Sequence, residues 1–180
     1  MISESEPIIK EYFWKKMCQL KFDLTYYGLC FSRCVSLVRI RKSTFAFLTA
    51  LFAGAWMEWS DNYWISHICP IAMFILQVIS AVIEFLPHDD RQIELREMME
   101  LLEPVYRKME NDWVSISIGE YTVEEIKELT TMHQARIDDV KSRFFRNDSL
   151  PQYEKMTKQA ISETNKYYEE AMKMEDKNNA

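Results

Sequence analysis

Five residues fall on one stripe of a single apolar run: Ser66, Met73, Gln77, Ser80 and Glu84, with Pro70 among them. The opposite side of that run is Ile71, Phe74, Ile75, Val78 and Val82. Polar side chains at helical spacing inside an apolar helix can line a path for ions. A ring of Glu84 carboxylates from several copies would favour cations. The same Gln and Ser side chains would also serve as hydrogen-bonding groups across a helix interface. A second group, Ile8, Ile9, Tyr12, Phe13 and Trp14, is bulky, aromatic and close to the N-terminus. It would suit a plug over a path, or one face of an amphipathic helix.

Covalent chemistry has no equivalent set. The sequence holds no Gly-rich phosphate loop, no GxSxG and no HExxH. Its three histidines, His67, His88 and His133, stand in unrelated contexts, and Asp138 and Asp139 are spaced like a solvated helix face. Cys30 and Cys34 share a helix face, but no second pair or histidine completes a zinc set. These patterns predict a protein that is not an enzyme and takes no metal or cofactor.

The stripe needs an element to position it, and residues 43–86 supply one. They contain no Lys or Arg, and their only charges are Glu58, Asp61 and Glu84. A spanning helix needs ~20 apolar residues to cross ~30 Å of hydrocarbon. On that basis 43–59 and 64–86 read as two spans of a transmembrane hairpin. Trp56, Trp59, Tyr63 and Trp64 cluster at its turn, as an interfacial belt would. Arg33, Arg39, Arg41 and Lys42 precede it, and Arg91 and Arg96 follow it. That asymmetry predicts both termini in the cytoplasm. The competing reading is a helical hairpin buried in a core. A lone hairpin cannot enclose a path, so the pore reading also demands a homo-oligomer, expected to be a tetramer.

The rest of the chain is charged and favours helix, with three Gly and five Pro in 180 residues. The net charge of −6 divides into +4 for residues 1–42, −3 for 43–87 and −7 for 88–180. The basic segment would meet anionic lipid, and the acidic remainder argues against a general nucleic-acid surface. The predicted fold class is therefore an all-α membrane protein. Its parts are an N-terminal amphipathic or plug-like helix (1–42), the hairpin (43–86) and a cytosolic helical region for oligomerisation or sensing (87–180). Gly28 would bend the first helix. In the last region a helix runs over about 91–113 with a kink at Pro104, and residues 115–121 form a linker around Gly119. Thr122 and Glu125 form a capping box. It opens a helix whose seam is Ile126, Leu129, His133, Ile137, Val140 and Phe144. Ser149 is expected to cap a last helix bearing Tyr153, Met156, Ala160, Tyr167 and Ala171 on one face. Three such helices have little core of their own, and copies of the chain would complete it.

A basic helix ending in VRIRKST, a short hairpin and then charged helices together form a layout that resembles the SLATT family. Those are two-span effectors of bacterial nucleotide-activated conflict systems. The layout is also similar to the Hailong-type antiphage membrane effectors. The resemblance implies a pore in the bacterial inner membrane, held closed until a signal arrives. Its partners would be the lipid bilayer, a nucleotidyltransferase, and a nucleotide or single-stranded oligonucleotide activator. Arg136, Lys141, Arg143 and Arg146 are the local candidates for such a ligand. Their alternative is a solvated last turn that complements the helix dipole. A second alternative for the whole chain is a non-conducting, membrane-anchored adaptor that recruits a partner through its helices.

Overall fold

With so few residues that interrupt a helix, nearly every hydrophobic period in this chain is free to become one. The computed structural model describes residues 5–59, 63–84, 88–144 and 152–178, and among them no strand occurs. Five helices follow one another: α1 (Ser5–Trp59), α2 (Tyr63–Glu84), α3 (His88–Ser117), α4 (Val123–Phe144) and α5 (Glu154–Asn178). The first is a single helix of 55 residues that runs through Gly28 without interruption. Pro104 likewise lies inside α3 and does not divide it.

The chain separates into two compact units. Unit 1 is Met1–Phe31 together with Glu94–Ala180, and unit 2 is Ser32–Ile93. Unit 1 has one hydrophobic core, drawn from four helical segments. Phe13, Met17 and Leu20 of α1 are buried in it with Met98, Leu102 and Met109 of α3. Ile126 and Ile137 of α4 and Met156 and Ala160 of α5 close it. The N-terminal turns of α1 thus supply the wall that α3, α4 and α5 lack. The expectation that copies of the chain would complete this core did not foresee that wall.

Polar contacts fix the helices around the core. The Lys141 ammonium of α4 donates to the Asp23 carboxylate of α1. The Tyr26 hydroxyl of α1 accepts from the backbone N–H of Tyr153, just before α5, at 3.1 Å. Between α3 and α4 the chain turns at Gly119, whose φ is +83°. There the Gly119 N–H bonds to the Ile116 carbonyl and the Glu120 N–H to the Ser115 carbonyl. This pair of bonds is a Schellman closure, which needs a left-handed residue and so favours glycine. Three residues on, the capping box forms as predicted. The Thr122 N–H donates to Glu125 at 2.7 Å, and the Glu125 N–H reaches the Thr122 hydroxyl at 3.4 Å.

The membrane-spanning part of the expected fold does not stand. Among the described residues, no helix is long and apolar enough to cross a membrane. In α1 only residues 43–57 separate Lys42 from Glu58. That is about 22 Å of helix, short of the ~30 Å required. In α2 the apolar run is interrupted by His67, Pro70 and Gln77. The inner-membrane location, the cytoplasmic placement of both termini and the membrane, ion-channel and SLATT readings all rested on two full spans. They are set aside with them. What remains of the predicted fold class is an all-helical protein.

Candidate functional site

A concavity in unit 1 lies between α1, α3 and α5. It is a cleft of about 370 Å³. Lys21 and Leu24 come from α1, Met99, Glu103 and Arg107 from α3, and Tyr167 from α5. Helical spacing puts Glu103, Arg107 and Glu110 on successive turns of α3, with Tyr106 and Glu110 four residues apart. That spacing lets the buried Tyr106 hydroxyl donate to Glu110 at 2.6 Å. The Tyr167 hydroxyl donates to the same carboxylate oxygen, also at 2.6 Å. Tyr106 also meets the Tyr168 hydroxyl at 3.3 Å.

The Lys21 ammonium sits over both phenol rings. Its Nζ is 3.8 Å from the Tyr167 ring centre and 4.8 Å from that of Tyr106. Such cation–π contacts are worth ~0.5–1 kcal/mol at exposed sites and more where water is excluded. Glu103 is engaged by Arg107 at 2.6 Å. Burial, followed by the bond to Glu110, drives the Tyr106 pKa far above the usual phenol range. Tyr167 moves the same way, mainly because its hydroxyl is held by Glu110. Burial also raises the Cys18 thiol, which bonds to Tyr168.

Elsewhere in unit 1, His133 is wholly buried, and its Nε2 lies 2.7 Å from an Asp112 carboxylate oxygen. Its Nδ1 has no hydrogen-bond partner among the described residues. The tautomer with its proton on Nε2 therefore leaves a lone pair there, not a stranded donor. Phe13 meets this imidazole edge-on and stacks on Trp113. Trp14 lies 5.0 Å from both Trp113 and Tyr168, centre to centre.

The residues singled out in the sequence are dispersed. Of the plug candidates, Phe13 is buried and Ile9 and Trp14 pack against the core, whereas Ile8 and Tyr12 are exposed. One face of this segment is structural. Of the stripe on α2, Met73 is half-buried and Gln77 and Ser80 are exposed. Ser66 and Glu84 belong to α2, but their side chains lie outside the described residues. Of the basic group on α4, Lys141 is held by Asp23 and Arg143 by Asp139 one turn earlier. Arg136 is exposed, and Arg146 lies outside the described residues.

The Lys21 cleft escaped sequence reading. Its one local signal is the Tyr106–Glu110 spacing, and Lys21 and Tyr167 join it only through the tertiary fold.

Fold and cleft together define an all-α protein with an aromatic-lined lysine in its folded core unit. The chain matches no family model, no curated protein and no solved structure. The resemblance of layout gains no support from them.

Proposed function

We propose that this protein is a non-catalytic assembly protein, a helical scaffold whose copies associate through unit 2. The supporting observation is the surface of α2. Ile68, Ile71, Phe74, Ile75, Val78 and Ile79 are each between 43% and 66% exposed. Phe47 and Leu51 in the same unit are more than half exposed. Fully burying one such side chain gains ~1.5–3 kcal/mol. A contiguous apolar face of this kind marks an interaction surface. A second copy suits it because the described part of α2 carries no Lys, Arg, Asp or Glu before Glu84, so an identical face meets it without burying an unpaired charge. Unit 1 has its own closed core and contributes stability instead of chemistry.

The test is the mass of the purified full-length chain by light scattering and sedimentation. A species several times the 21.6 kDa of one chain is expected. Replacing Ile71 and Phe74 together with serine should lower that mass while leaving helix content unchanged. A monodisperse monomer would overturn the reading. So would a chain recovered only as single copies in detergent micelles or lipid vesicles, since lipid and not another copy would then cover α2.

A further inference from the structure

The cleft in unit 1 supports an inference independent of assembly. Lys21 is half-buried, and its ammonium carries three N–H donors. Among the described residues none of them meets a hydrogen-bond acceptor or an ion-pair partner. The carboxylates nearby are already engaged. Glu110 accepts from Tyr106 and Tyr167, Glu103 accepts from Arg107, and Asp23 is bonded to Lys141. The two phenol rings hold the ammonium in place by their faces, but they leave it without an oxygen acceptor. Arg107 borders the same space and commits Nη2 to Glu103.

We propose that this cleft binds a small organic monoanion. Its carboxylate would accept from the Lys21 ammonium, and its apolar body would lie against Leu24 and Met99. Three features fit that class of ligand. The volume of about 370 Å³ is at the small end of the ~300–1,000 Å³ of small-molecule sites. The fixed charges of Lys21, Arg107, Glu103 and Glu110 cancel, so one negative charge is tolerated. A dianion such as inorganic phosphate near neutral pH would meet two fixed carboxylates. A ligand cation finds the place between the rings already filled by Lys21.

Fluorobenzoate is the probe, followed by fluorine NMR on the full-length protein at constant ionic strength. Saturable line broadening is expected, with none from the neutral fluorobenzamide. Lys21→Met should weaken binding roughly tenfold or more, the size of a lost charged hydrogen bond. Lys21→Arg should retain it, and circular dichroism should show both variants folded. If the Met variant does not fold, the wild-type comparison of benzoate with benzamide decides alone. No saturable binding of fluorobenzoate overturns the proposal. Equal binding by a folded Lys21→Met variant, or equal or tighter binding of inorganic phosphate or benzylammonium, overturns it too.

Discussion

Replacing Phe13 with alanine asks whether the first turns of α1 are a structural wall or a detachable segment. The Phe13 ring is fully buried. It stacks on Trp113 at 6.2 Å between ring centres, with planes 12° apart, and meets His133 edge-on at 74°. Deleting a buried phenyl group leaves a cavity and costs ~3–5 kcal/mol. The two ring contacts are part of that figure, because the same atoms make them. A domain has only ~5–15 kcal/mol of stability, so this one substitution removes a large share. Near 4 °C per kcal/mol for a domain of this size, the melting temperature should fall by on the order of 15 °C. The control is Ile8, one helix face away and 66% exposed. Ile8→Ala should stay within about 2 °C of wild type. Thermal unfolding read by tryptophan emission suits the question, since Trp14 and Trp113 flank the site. A Phe13→Ala variant as stable as wild type would refute the reasoning, because the ring would then be dispensable to unit 1.

Other expectations concern the polar contacts. Lys141→Met and Asp23→Asn should show a coupling of ~1–2 kcal/mol in a double-mutant cycle of denaturant midpoints, because the pair ties α4 to α1 with both groups partly buried. Additive effects would make the contact incidental. His133→Ala should cost ~3 kcal/mol, part cavity and part the Asp112 carboxylate left without its partner. A loss below ~1 kcal/mol would refute it. Burial raises the pKa values of Tyr27, Tyr106 and Tyr168 above the ordinary phenol value of ~10. Their contribution is therefore complete below pH ~10 and is lost as the pH climbs beyond it, when the unfolded chain ionises first. Phenolate absorbance and helix loss should rise together. Ionisation of all tyrosines with helix intact would contradict this. The Glu125 carboxyl is held below its usual range by the Thr122 N–H and then by the Thr122 hydroxyl. Its support of the α4 start is present above the ordinary value of ~4.3 and lost as the pH falls below it. Amide exchange at Thr122 should show that loss in wild type and lack it in Glu125→Gln.

Helices were legible wherever a local signal exists. The Thr122–Glu125 box marks the start of α4, and Gly119 marks the turn before it. The α4 seam proved to be core, with Ile126, His133, Ile137 and Val140 buried and Leu129 and Phe144 half-buried. On α5 the expected face was only partly right. Met156, Ala160 and an unforeseen Thr164 are buried, while Tyr153 and Tyr167 are exposed. The periodicity of α1 was visible, but not its partner. Nothing local in Phe13, Met17 or Leu20 says that they pack with Met98, Leu102 and Met109, far along the chain. The long apolar run was over-read for a related reason. Hydropathy measures how much a stretch avoids water and leaves open whether lipid or another protein surface relieves it. The Lys21 cleft was illegible because cation–π geometry joins three helices that share no motif.

The discontinuity of unit 1 bears on how the molecule is made. The segment of α1 up to Phe31 leaves the ribosome long before the residues from Glu94 onward exist, so it must wait for partners not yet translated. Pairings this distant close slowly. During synthesis Phe13 and Trp14 would stand bare, open to chaperones or to neighbouring nascent chains, until the last helix arrives.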